Sequence, residues 1–484
     1  MKKIVLFAVT LFFAVSSKAQ WEPEVRMTND PFSSMTGVST SAHAIAVSGD
    51  SVHMVWYDER DGNFEIYYKR SIDGGSTWCE DIRLTNTTLS SRFASIAVSG
   101  SLVHVAWSEY PNANSNTEIY YKCSTDGGKT WGEDTRLTYT PSWTWHPCLT
   151  VSGSFLHLVY YDFADGLWEV YYKRSVDGGL TWEPETQLTN DPAGSYWASI
   201  AASGPVLHVV WHDDRDGNSE IYYKRSTDAG LTWGTDTRLT TADSTSARGS
   251  CGVSGSDVYV VWADARDGNK EIYFKHSSDG GLSWGEDTRL TNYSSDSDYP
   301  NLAVSGAGLY VVWVDDRDGN LEIYFKRSTD GAESWEPDVR LTDNPFWTDK
   351  AFIATSEAKV HVIWYDERDG NYEIYYKRDP TGGIPVGLDN ELGNCSDQQF
   401  SIFPNPASTV IRIQFKDEKI SSMNPGSEKF VLSVRNILGE IVINKQIHVD
   451  EPIVDVSTLP NGIYFVELKT RRTMVESRKL IISR

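Results

Sequence analysis

Beyond its first fifteen residues the chain has no long apolar run, and a membrane-spanning helix needs about 20 such residues. It is poor in cysteine: five in 484 residues, at 79, 123, 148, 251 and 395, with no C-x-x-C pair. That spacing disfavours a zinc site and a fold built on disulfides. It is short of positive charge, with 44 Lys and Arg against 67 Asp and Glu and a net charge of −23. A surface this acidic repels phosphate backbones, so nucleic acid is not an expected partner. Nor does the chain contain a glycine-rich phosphate loop or a Ser-His-Asp arrangement for nucleophilic catalysis.

What is present begins with an export signal. Lys2 and Lys3 precede an apolar run from Ile4 to Val15, and Ser17 and Ala19 fit the −3 and −1 positions of a peptidase site. Residues 1–19 are therefore expected to be removed before Gln20. The run is too short to span a membrane. The mature protein is expected to be secreted, or attached to the outer surface by other means.

The body of the chain is repetition. An octapeptide Ser-x-Asp-x-Gly-x-x-Trp begins at Ser71, Ser124, Ser175, Ser226 and Ser277, and a variant of it at Ser328. Its defining residues are Asp73 and Trp78, Asp126 and Trp131, Asp177 and Trp182, Asp228 and Trp233, Asp279 and Trp284, Asp330 and Trp335. A near-constant period of about 51 residues means stacked supersecondary units. Each period holds four strand-like runs; in the fourth these are Ala198–Ala202, Val206–Trp211, Glu220–Arg225 and Thr237–Thr240. Four antiparallel strands per period is the grammar of a propeller blade.

The second strand ends at Trp56, Trp107, Tyr160, Trp211, Trp262, Trp313 and Trp364, which predicts seven blades. The seventh unit lacks its outer strand. Trp21–Thr28 (WEPEVRMT) matches Trp335–Thr342 (WEPDVRLT) almost residue for residue, so it is expected to supply that strand and close the ring. Cys79 and Cys123 could then meet across neighbouring blades, since export permits disulfides.

The octapeptide resembles the Asp box (BNR repeat) of sialidases and other β-propellers, and the resemblance covers residues 21–379. In that setting the motif is structural: Ser and Asp bond the turn, glycines take positive φ, and Trp fills the space between sheets. The family's Arg-Ile-Pro signature, which opens an arginine triad for the substrate carboxylate, is missing from residues 21–70. The regular spacing also leaves little room for catalytic insertions. Residues 380–396 read as a linker. In 397–484 the segments Phe403–Ala407 (FPNPA), Val434–Glu440 (VRNILGE), Asp455–Val466 and Lys479–Arg484 resemble the C-terminal sorting domain of the type IX secretion system of Bacteroidetes. That resemblance implies a small β-sandwich recognised by the secretion machinery and removed afterwards. A carbohydrate-binding sandwich is the alternative.

Charged residues recur at fixed offsets. Asp58, Glu109, Asp162, Asp213, Asp264, Asp315 and Asp366 sit two residues after the second-strand aromatic, and five arginines (60, 215, 266, 317, 368) share the hairpins there. Ion pairs repeated around the ring are the expected reading. A calcium loop is the alternative, since hard cations want oxygen ligands; a carboxyl pair for glycoside hydrolysis is another. No other cofactor is expected. His53, His104, His157, His208 and His361 share one position with Tyr259 and Tyr310, which suggests packing rather than metal binding.

Asymmetry points to function. Tyr110, Trp143, Trp145, His146, Phe163, Trp168, Tyr196 and Trp197 fall in hairpins and incoming loops of blades 2 to 4, on one face. Exposed rings beside carboxylates and amides suit sugars, and Phe346 and Trp347 could extend the surface. The expectation is an all-β protein, a seven-bladed propeller over 20–379 plus a small sandwich. It would act as a monomeric, non-catalytic binder of extracellular glycans or surface proteins. The alternatives are a sialidase-like glycoside hydrolase and an adhesive scaffold.

Overall fold

A computed structural model describes residues 21–37, 43–110, 116–163, 166–356 and 359–381, and seven stretches between 400 and 482. The expected signal peptide lies outside the described residues. The chain divides into two units, Met1–Pro385 and Val386–Arg484.

The first unit is a ring of seven antiparallel sheets. Blade 4 is representative: Ser195–Ser203, Val206–Asp213, Glu220–Ser226 and Thr237–Arg238 pair in that order from the inside outward. β-branched and aromatic residues are frequent along the two central strands, VLHVVWHD and EIYYKRS, which suits a pleated surface packed on both faces. The hairpin between them turns at Gly217, whose φ of 93° other residues rarely adopt. Apolar cores lie between blades: Trp211 and Val209 of blade 4 pack with Val159 and Tyr172 of blade 3.

The ring closes as the repeat predicts. Val25–Arg26 pairs with Glu373–Asp379, Val25 opposite Tyr376 and Arg26 opposite Tyr375, as the outer strand of blade 7. Trp21 packs edge-on to Phe325 at 5.0 Å, as each Asp-box Trp packs on a ring of the preceding blade. Those six contacts, such as Trp182 on Tyr121 at 5.2 Å, span 4.9 to 5.2 Å.

Within the Asp box, Ser175 Oγ donates to Asp177 Oδ1 (2.8 Å) and accepts from Gly179 N (2.8 Å). Asp177 accepts from the Thr181 hydroxyl (2.6 Å) and amide (2.9 Å). These bonds, the hydroxyl foremost, pull its carboxyl down to about 2.

Two expectations are corrected. The inner strands of blades 2 to 7 start earlier than their apolar runs suggest, and each carries a bulge, between Tyr196 and Ser199 in blade 4. A bulge interrupts the two-residue alternation that marks a strand in sequence. Blade 1 instead splits its inner strand into Ser34–Met35 and Ile45–Ser48. Cys79 and Cys123 are both free. Cys79 Sγ accepts from Arg70 N of its own blade, whereas Cys123 packs in the core between blades 2 and 3.

The second unit has two sheets. One orders Phe400–Phe403, Val410–Phe415 and Ile453–Asp455; the other orders Ile441–Ile447, Phe430–Asn436, Gly462–Lys469 and Met474–Ile482. Ile411, Ile413, Leu432, Val434, Val454 and Val466 share one core between them.

Candidate functional site

The recurring charges are committed to the fold. In blade 4, Asp213 accepts from Trp211 Nε1 (2.8 Å), Ser195 Oγ (2.9 Å), and Arg215 Nε (2.7 Å) and Nη2 (2.6 Å). Burial alone would raise the Asp213 carboxyl, but Arg215 outweighs it and holds it below the usual range. Arg215 continues to Asp236 (2.9 Å), which Lys224 also meets at 2.8 Å. Asp58, Asp264, Asp315 and Asp366 are likewise bonded by Arg60, Arg266, Arg317 and Arg368. In these five hairpins the arginine takes the oxygens that a calcium ion would need.

Blades 2 and 3 lack that arginine. Glu109 accepts from Trp107 Nε1 (2.8 Å), and Asp162 from Thr144 Oγ1 (2.8 Å). The histidines at the shared position hydrogen-bond a tyrosine on the next strand, as His208 does with Tyr223 at 2.7 Å. Burial lowers His208 to about 4, so it is neutral.

The positions that vary from blade to blade sit elsewhere. Each inner-strand bulge holds one non-glycine residue at positive φ: Phe93, His146, Trp197, Arg248, Tyr299 and Lys350, between 50° and 61°. Such conformations cost about 1–3 kcal/mol each and persist only where the surroundings impose them. Neighbours around the ring stack on one another. Phe93 lies 4.3 Å from His146; Arg248 Cζ sits 5.2 Å from the Trp197 ring and 3.7 Å from that of Tyr299; Lys350 Nζ is 3.1 Å above Tyr299.

A pocket of about 330 Å³ opens beside this stack, lined by residues of blades 4, 5 and 6. Tyr196, Trp197 and His212 form its aromatic wall; Arg248, Lys270 and Asp298 supply the charge. Blade 5 leaves the space, because it has Ala247 and Ala263 where blade 3 has Trp145 and Tyr161. Asp298 Oδ2 accepts from both Arg248 Nη1 and Lys270 Nζ (2.7 Å), and Oδ1 from Tyr299 N (2.8 Å). Burial opposes ionisation of Asp298, but the two cations prevail and keep its carboxyl below the ordinary value. His212 is lowered to about 4 by burial and then by Arg248, and its Nδ1 makes no hydrogen bond among the described residues. A separate channel of about 400 Å³ is lined by the inner strands of all seven blades.

The eight aromatic candidates divide. Tyr196 and Trp197 line the pocket, on the inner strand rather than on a loop. Trp143 and Phe163 are exposed, 49% and 38%, joined by the bond from Phe163 N to Trp143 O (2.9 Å). Trp168 is half-buried, 5.0 Å from Phe163 and 5.1 Å from Tyr161. Trp145 and His146 pack inward on Phe93, and His146 is only 6% exposed, so it is no surface ligand. Tyr110 is half-buried, beside hairpin residues 111–115, which lie outside the described residues. Phe346 and Trp347 are exposed ahead of blade 7.

Sequence reasoning missed Arg248, Lys270, Asp298 and His212. The available signal was variation within a constant frame. The residue before the third-strand glutamate is Phe64, Thr117, Trp168, Ser219, Lys270, Leu321 and Tyr372 in turn.

Solved structures with a similar fold include the polysaccharide lyase Uly1, at 12% identity and TM-score 0.48, covering 74% of this chain and 99% of that one. Trypanosoma rangeli sialidase is another, at 11% identity and TM-score 0.42, covering 81% and 84%. The α-L-arabinofuranosidase arb93a of Fusarium graminearum reaches 17% identity and TM-score 0.42, covering 56% and 88%. Identity this low says nothing of substrate. No curated protein matches the chain. Residues 93–312 match the BNR repeat-like domain family, and residues 401–483 match the secretion system C-terminal sorting domain. The chain thus carries a β-propeller that matches the BNR repeat-like domain over residues 93–312, followed by a secretion system C-terminal sorting domain.

Proposed function

We propose that this protein is a secreted, non-catalytic binder of extracellular glycans, and that the pocket of blade 5 holds the sugar. The pocket itself carries the reading: an aromatic wall of Tyr196 and Trp197 faces a donor–acceptor group of Arg248, Lys270 and Asp298. Flat rings bury the C–H faces of a sugar, and a few placed polar groups take its hydroxyls. Most glycoside hydrolysis uses two carboxyls at a set separation, sialidases with a Tyr nucleophile being an exception. Among the described residues lining the pocket, Asp298 is the single carboxylate, which supports binding over catalysis.

A glycan array probed with the mature chain, with and without calcium, tests the proposal. Selective binding is expected. Ala263→Tyr, which gives blade 5 the residue that blades 1, 3 and 7 carry as Tyr57, Tyr161 and Tyr365, should abolish it while the fold persists. A folded chain that binds no glycan would redirect the search to protein partners. Release of reducing sugar would overturn the non-catalytic reading.

A further inference from the structure

The pocket does not end at its aromatic wall. Tyr196 lies 6.5 Å from Tyr161, Tyr161 lies 5.1 Å from Trp168, and Trp168 lies 5.0 Å from Phe163. Phe163 and its neighbour Trp143 reach solvent. The rings therefore form one line of contacts from the pocket in blade 5 to blade 3. Tyr161, 6% exposed, is its buried link, and Tyr196, Trp168, Phe163 and Trp143 are the rings a ligand can reach, a strip interrupted at Tyr161.

Two magnitudes constrain the occupant. A volume of about 330 Å³ is at the low end for ligand sites, which span about 300–1,000 Å³, and has room for one sugar ring rather than a chain. The strip continues well beyond that ring. Charge decides the rest. Arg248 and Lys270 already share Asp298, and Lys350 is held by both oxygens of Asp349 at 2.9 Å. These five groups leave a surplus of one positive charge, on a chain of net −23. Exposed charges are screened within about 8 Å at physiological salt, but an extended polyanion lying on the face would run against its carboxylates at close range. Arg248, Lys270 and Asp298 instead offer two donors and an acceptor together, a set that suits adjacent hydroxyls.

Resting on the glycan reading above, we infer that the ligand is an uncharged oligosaccharide chain. One ring occupies the pocket of blade 5, and the following rings stack along the strip towards Phe163 and Trp143.

Calorimetric titration of the mature chain tests this with neutral gluco-, manno-, galacto- and xylo-oligosaccharides of one to six units, and with oligogalacturonates of the same lengths. For at least one neutral series, affinity should rise at least tenfold from one unit to four. Phe163→Ala combined with Trp143→Ala, two exposed positions, should erase that gain, so that the hexamer binds no tighter than the monomer. Circular dichroism verifies that the variant is folded. Equal affinity for monomer and hexamer, an intact gain in the double variant, or preference for the oligogalacturonates would each overturn the inference while leaving glycan binding in place. Binding to no saccharide, neutral or acidic, would overturn both.

Discussion

One glycine shows how tightly the repeat is written at the scale of single residues. A Cβ on Gly179 would lie 2.0 Å from the Tyr121 hydroxyl of the preceding blade. Gly75, Gly128, Gly230 and Gly281 meet Tyr376, Tyr68, Tyr172 and Tyr223 in the same way. The sixth box has Ala332 there, and its facing residue is Phe274, which has no hydroxyl. Glycine is thus required by the tyrosine and favoured by its φ of 90°, a conformation that Ala332 approaches at 75°. Gly179→Ala should cost about 2–4 kcal/mol, from overpacking and a strained backbone, read as a lower urea midpoint. Adding Tyr121→Phe should restore part of it, despite losing the 2.7 Å bond to His104. An equal loss in both variants would refute the steric account. Both halves of this pairing stand in the sequence, but 58 residues apart; only the packing of one blade on the next relates them.

At the scale of elements, closure by the N-terminal strand is the feature on which the ring depends. Thr28 Oγ1 and Arg26 Nη2 donate to Glu373 at 2.5 and 2.7 Å, and Trp21 fills the position that an Asp-box Trp fills elsewhere. Deleting residues 20–28 should bare the edge of Glu373–Asp379 and strip Phe325 of its cover. Bare edges pair with other chains. The shortened protein should therefore melt at a lower temperature and elute as oligomers on size exclusion; a monomer of unchanged melting temperature would show that closure is dispensable. This element was legible because Trp21–Thr28 repeats Trp335–Thr342. The bulged starts of the inner strands were not: Ser195-Tyr196-Trp197 shows no alternation, and the left-handed turn at Trp197 that aims its ring comes from the blade, not from the local residue preference.

For the whole molecule, buried histidine sets the acid limit. His53, His104, His157 and His208 are lowered by burial to about 4, as are His43 and His212, and His146 and His361 to about 3. Their unfolded value is near 6.5. The unfolded chain therefore binds more protons below pH 6.5, and stability present above that value is lost as pH falls towards the folded values. Every tenfold difference in proton affinity between the folded and unfolded chain is worth about 1.4 kcal/mol per group. The propeller should therefore unfold between pH 6.5 and 4, followed by circular dichroism. The pair His208→Tyr with Tyr223→Phe, which copies Tyr259 and Phe274 of blade 5, should lower that midpoint. An undiminished melting temperature at pH 4 would refute the account.

The sequence by itself determined the blade count, the closure of the ring and the sorting module. The first two rest on bonds made within one period or between near-identical neighbours, so the period displays them; the sorting module lies outside the repeat and was legible from its own motifs between Phe403 and Arg484. Only the tertiary structure decided where a ligand can enter. The pocket is a gap left by Ala247 and Ala263 between the large side chains of two other blades. A gap of that kind depends on which way each bulge throws its residue, and on three blades meeting around an axis that no stretch of sequence contains.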